Sequence, residues 1–253
     1  MQISTLIKRN LTHYWRTNVA VVLGVGVAVA VLAGALLVGD SVRSSLRDLF
    51  LDRLGRTVDI ISSTGFFRER LADDIGSNGN FAQRFEAACP LIALEAVVTN
   101  DKSGNRASHV QVYGVDERFW RFHGRERAAS DLGDRETLVG QDLARELGCA
   151  PQDSLLIRVE KPSAIPTESL HGRKEDVGRT IRLTVREVLP ASAMGEFSIR
   201  PQQGPVRAVF VSLKRLQKDL EQPGRINTIL VSDDDVRHGR DRRGAAGAPP
   251  ALA

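Results

Sequence analysis

The first residues to test for chemistry in this 253-residue chain are its five histidines, its two cysteines and a run of three acids. His13, His109, His123, His171 and His238 are scattered, with no HExxH and no paired spacing for a metal or a general base. Cys89 and Cys149 lie 60 residues apart, without CxxC or Cys/His ligand spacing. Two readings stay open for them: a disulfide in an oxidising compartment, or two buried small side chains. Asp233-Asp234-Asp235 could attract a cation, but such a run also makes an ordinary solvated loop. Gly24-Val25-Gly26 has the start of a dinucleotide fingerprint, yet position 29 is not glycine and the motif lies inside an apolar run. No GxSxG elbow, Walker loop or paired-carboxylate motif is present. The sequence therefore assigns no catalytic residue, no metal ligand and no cofactor-binding residue, and the chain reads as a non-enzyme.

The informative element is the apolar run itself. Val19–Val38 reads VAVVLGVGVAVAVLAGALLV, without charge, side-chain amide or proline. At ~1.5 Å per residue such a helix spans ~30 Å, the hydrocarbon thickness of a bilayer. In hydrocarbon only a helix or a closed barrel satisfies every backbone group. Gly26, Ala30 and Gly34 recur every four residues and define a candidate packing face for a partner helix. Residues 1–18 place Ile3, Leu6, Ile7, Leu11, Tyr14 and Trp15 at helical spacing against Lys8, Arg9 and Arg16. This predicts an amphipathic helix on the membrane surface, with Tyr14, Trp15 and Arg16 as interface anchors to lipid. Ala33-Gly34-Ala35 has the form of a signal-peptide cleavage site, but the apolar run continues past it, so the span is expected to be retained. Flanking charges do not decide orientation, because Arg43, Arg47, Arg53 and Arg56 balance the amino-terminal basic residues.

The net charge is +4, but the arginines alternate with acids, as in RERLADD and DERFWRFHGRER, which argues against a nucleic-acid surface. Helical spacing continues through Val42, Leu46, Leu49, Phe50 and Leu54, with Gly55 as the stop, so a helical stalk is expected over 39–56. Beyond it the pattern mixes strands and helices. Strands are expected over 57–62, 91–100, 106–116, 153–160, 179–189 and 226–232, with 91–100 and 106–116 as a hairpin. Helices are expected over 66–75, 81–90 and 136–148, the last ending at Gly148. Residues 207–220 read as a strand turning into a helix, with Ser212 as N-cap. A long polar loop is expected between 160 and 179. The fold class is α+β: an amino-terminal amphipathic helix and one transmembrane helix, then a mixed extracytoplasmic domain over 57–235.

The order of these segments carries a resemblance. KRNLTHYWRTN, the small-residue span, GDSVRSSL, YGVDERFWRF, ETLVGQDLARELG, TIRLTVREVL, AVFVSLKRLQKDL and RINTILVS follow one another over residues 1–235. This resembles the amino-terminal half of FtsX/MacB-like ABC transporter permeases, including the LolC/LolE type. The resemblance implies a cytoplasmic amino terminus, one helix in the cytoplasmic (inner) membrane and a MacB-like periplasmic core domain outside it. It also implies a cytoplasmic ABC ATPase as partner, which binds the ATP that this chain does not, and a second permease subunit. The implied activity couples ATP hydrolysis to movement of the extracytoplasmic domain, in export, lipoprotein release or mechanotransmission.

Relatives of this type continue into three more membrane helices, whereas residues 236–253 here read VRHGRDRRGAAGAPPALA, an expected disordered or aberrant tail. A truncated permease is thus expected. The alternatives are a single-span membrane-anchored binding or adaptor domain and, with less support, a secreted hydrolase released at Ala35.

Overall fold

The computed structural model describes residues 9, 12–125, 132–160 and 178–233, and the chain divides into two compact units between Leu49 and Phe50. The first unit is helical. One uninterrupted helix, α1, runs Trp15–Leu54, and every described residue up to Leu49 is exposed. It is long and apolar enough to cross a membrane, by length and composition. The expected amphipathic helix falls mainly on residues 1–8, 10 and 11, which lie outside the described residues; Tyr14 precedes α1 and Trp15 opens it.

The second unit orders its elements as β1 (Asp59–Arg68), α2 (Arg70–Gly76), α3 (Gly79–Ala82), β2 (Ala87–Asn100), β3 (Arg106–Val115), α4 (Glu117–Phe122) and β4 (Glu136–Gly140). Then follow α5 (Gln141–Leu147), β5 (Ser154–Glu160), β6 (Gly178–Leu189), β7 (Ala208–Ser212), α6 (Leu213–Asp219) and β8 (Arg225–Ser232), which completes the α+β fold.

Strand β2 organises the sheets. One edge pairs with β3 over Ile92–Thr99; on the other, Ala87–Leu91 pair with β8 and Ala96–Asn100 pair with β5. The order β2-β3-β7-β4-β6-β5 therefore closes on itself into a six-stranded ring, and β8 with β1 forms a wing on the first half of β2. Alternation along the strands feeds two cores. Val209 and Val211 of β7, Val110 and Val112 of β3 and Ile229 and Val231 of β8 enter the larger core. Their neighbours Ala208, Phe210, Tyr113, Val115 and Leu230 enter the smaller, aromatic one.

Three expectations are corrected, and one, Ser212 as an N-cap, is met in position. Phe66–Arg68 ends β1 rather than starting a helix, because Phe67 and Arg68 pair with Ile226 and Arg225. The helix expected over 81–90 is reduced to the four residues of α3, and Ala87–Leu91 is strand, drawn into the ladder with β8. Residues 136–140 are strand, held between β6 and β7, and only Gln141–Leu147 is helix. Ser212 occupies the N-cap position of α6 without making a side-chain capping bond. Helix α4, capped by the Asp116 carboxylate accepting from the Arg118 N–H at 2.9 Å, is an addition that no periodicity announced. The expected helix stop at Gly148 is found, with φ 58°. The polar loop expected between 160 and 179 lies almost wholly outside the described residues.

Candidate functional site

The residues that sequence reasoning singled out in α1 do not converge on a site. Gly26 and Gly34 have open space where a side chain would be, and Ala30 is exposed. Tyr14 and Trp15 are exposed, and the Arg16 guanidinium lies 5.6 Å from the Trp15 ring. Of the acidic run only Asp233 falls within the described residues. Cys89 and Cys149 are both free; Cys89 is buried, and burial pushes its thiol well above the ordinary range. Burial also raises the half-buried Cys149, with Asp153 adding to the effect. Among the described residues no group of three or more His, Cys, Asp or Glu could hold a metal ion.

The structure instead builds a polar joint at the last turn of α1. Leu54 is buried, and Gly55 turns the chain at φ +61°, a conformation that only glycine adopts without cost. The carbonyl of Arg53 accepts from the Ser198 N–H at 3.3 Å. The Arg53 side chain donates through Nη1 to the Gln202 carbonyl at 2.8 Å, and its Nε lies 3.5 Å from the Glu196 carboxylate. That side chain is 9% exposed and the Glu196 side chain 31%, so solvent reaches the ion pair from the carboxylate side. One residue past the turn, the Arg56 N–H donates to His123 Nδ1 at 3.3 Å. The Arg56 guanidinium also pairs with Glu86. Val58 N–H then donates to the Val231 carbonyl at 2.8 Å, so the domain's first and last strands begin and end side by side.

Two elements position these groups. The segment after β6 carries Glu196, Ser198 and Gln202, and is fixed by Phe197 in the aromatic core. Phe197 meets Tyr113 at 4.9 Å and Phe119 at 5.1 Å. The Tyr113 hydroxyl accepts from the Ile199 N–H at 3.3 Å, and burial raises the Tyr113 pKa. Arg200 donates to Glu95 at 2.7 Å, a further pin on the same segment. His109 also bonds Glu95, and together with Arg200 it holds that carboxyl below its usual range. Helix α4 presents His123, stacked edge-on against Phe119 at 4.6 Å. Arg118 ties α4 to Glu69, the residue before α2, and to Asp116; burial opposes its charge, but these bonds outweigh it and raise its pKa. Two glycines allow the backbone to fold this tightly. A Cβ on Gly140 would stand 2.2 Å from the Gly195 carbonyl oxygen, and one on Gly195 would stand 2.1 Å from that of Leu189.

Glu196 and Ser198 were not singled out in the sequence, and Arg53 and His123 stood out there only as a flanking charge and as one of five scattered histidines. Phe119, Trp120 and His123 share one helical face, which is the only local signal. The arrangement contains no nucleophile–base pair; what it can do is hold a helix end firmly.

No curated protein matches the chain. The periplasmic region of MacB from Actinobacillus actinomycetemcomitans is similar at 10% identity and TM-score 0.42, over 77% of this chain and 83% of that one. The extracellular domain of the noncanonic ABC-type transporter YknZ from Gram-positive bacteria is similar at 7% identity and TM-score 0.41, over 73% and 87%. The model of the MacB-like periplasmic core domain matches residues 19–242. With nearly the whole chain so matched, this protein belongs to the MacB-like periplasmic core domain family, a family of transporter permease components rather than enzymes.

Proposed function

We propose that this chain is a permease component of an ABC transporter, anchored in the cytoplasmic membrane by α1 with its domain outside. Its work is to convert ATP hydrolysis by a partner ATPase into movement of that domain, for export, lipoprotein release or signalling across the membrane. The observation that carries this reading is the joint. A helix serving only as a tether needs no more than a covalent link to its domain. Here the last turn carries a largely covered arginine bound to a backbone carbonyl and paired with a carboxylate, and its own carbonyl is also bound. Such fixing suits an element that transmits displacement.

In this reading ATP is bound by the partner and not by this chain, and a second permease subunit packs on the Gly26, Ala30 and Gly34 face. Tyr14, Trp15 and Arg16 sit among lipid headgroups. The test is co-purification of the full chain from its native membrane, followed by an ATPase assay. An ABC ATPase in the complex, with ATP-dependent change in protease sensitivity of the domain, is the expected result. A complex without any ATPase would favour a single-span binding or adaptor protein.

A further inference from the structure

Beside the joint, a cleft of about 310 Å³ is lined by Arg56, Arg118, Arg121, Phe122, Glu86 and Ser232, among others. These residues come from separate parts of the domain: the turn after α1, helix α4, the residue before β2 and the end of β8. The lining holds three guanidinium groups against the single carboxylate of Glu86. Arg118 is fixed from behind by Asp116 and Glu69, neither of which lines the cleft. Arg56 reaches Glu86 through Nη2, and no hydrogen bond engages its other side-chain nitrogens within the cleft's described lining. The contact of Arg121 with Glu117 is loose, at 3.8 Å between two exposed side chains. Ser232 is 1% exposed, and its hydroxyl has no hydrogen-bond partner among the described residues. A buried hydroxyl without a partner is unusual in a folded protein and calls for an explanation.

We propose that this cleft is a binding site for an oxyanion, a phosphate or carboxylate group. Arg56 and Arg121 are its charged donors, Arg118 is a fixed positive wall, and the Ser232 hydroxyl completes the donor set. Guanidinium groups suit this task because their planar forks bond two oxygens at once. Phe122 gives the cleft an apolar side, which fits an anion carried on an organic molecule. The same chemistry serves a free phosphate and a lipid headgroup, and the proposal stands independently of the transport reading.

The test uses the full chain in nanodiscs, titrated with inorganic phosphate and followed by phosphorus NMR line broadening. One set of discs contains only phosphatidylcholine; a second also contains phosphatidylglycerol. Saturable binding in the first set is expected, weakened about tenfold by Arg121→Gln, whose exposed side chain can be changed without disturbing the core. Ser232→Ala is expected to weaken binding in the same direction. Binding in the first set but not the second identifies an anionic headgroup as the occupant, and equal binding in both identifies a soluble ligand. Absence of saturable binding in the first set, or an affinity that Arg121→Gln leaves unchanged, would overturn the proposal.

Discussion

Asn227 of β8 completes the backbone ladder of Ala93 in β2: its Oδ1 accepts from the Ala93 N–H and its Nδ2 donates to the Ala93 carbonyl, both at 2.8 Å. This happens where β2 changes partner, between the Leu91 pairing with β8 and the Ala96 pairing with β5. A side-chain amide replaces a missing strand neighbour for one rung. Asn227→Ala removes the partners of two part-buried backbone groups and is expected to cost about 1–3 kcal/mol, read as a lower denaturant midpoint. Asn227→Asp restores the acceptor alone and should recover only part of the loss. Equal midpoints for wild type and Asn227→Ala would refute the role.

Arg53→Ala removes the Gln202 and Glu196 contacts at once. Amide hydrogen exchange over residues 50–57 is expected to quicken at least about tenfold, the equivalent of a 1.4 kcal/mol loss of local protection. Arg53→Lys keeps the charge but not the fork and should fall between. If the joint transmits motion, Arg53→Ala also uncouples domain movement from ATP hydrolysis while the complex still assembles. Exchange rates indistinguishable from wild type would mean that the last turn is held by Leu54 packing instead.

Gly55 carries two separate constraints. Its φ of +61° penalises any L residue, and a Cβ there would stand 2.6 Å from His123 Nδ1. Gly55→Ala is expected to cost about 1–2 kcal/mol from the backbone conformation alone, with the contact added. The two parts separate in a double-mutant cycle with His123→Ala: removing the ring relieves the collision but not the backbone strain, so the double variant should lose less than the sum of the single ones. Strict additivity would show that the ring simply moves aside.

Glu95 predicts the direction of an acid response. Hydrogen bonding to His109, with Arg200 adding to it, lowers its folded-state pKa. A depressed carboxylate pKa contributes stability above the unfolded value of ~4.3, and that contribution is lost as pH falls through the folded value. Wild type should therefore exceed Glu95→Gln in stability at neutral pH, and the gap should shrink as pH falls through the lowered folded-state value. A gap that persists unchanged at pH 3 would assign the effect to packing.

The sequence made the strands β5, β6 and β8 legible because their alternation is strong, and Gly55 and Gly148 legible because helix stops are local events. The long apolar helix was evident from length and composition alone. What could not be read locally was decided by distant partners. Ala87–Leu91 becomes strand because β8 lies beside it, some 140 residues later, and no propensity in AACP announces that neighbour. The 136–140 strand was absorbed into the amphipathic pattern of the helix that follows it. The joint was least visible of all: Arg53 and Glu196 are ordinary surface residues by type, and only the fold brings them together. His123 looked like one more isolated histidine until α4 placed it against Gly55.

The side-by-side start of β1 and end of β8 has a mechanical consequence. Asp59 pairs with Val231, and the two strands run antiparallel from that rung. A pull applied between the chain at residue 58 and the chain at residue 232 would therefore open the pair like a zipper, one rung at a time, the weakest geometry a ladder of hydrogen bonds can offer. Tension can pass into the barrel without peeling the wing only if another path shares it. The Arg53 contacts, which lead through residues 196–202 to the aromatic core, supply that parallel path. Under load they would act as a strain relief, as on an electrical cable, taking the tug before it reaches the Asp59–Val231 rung, which would part first.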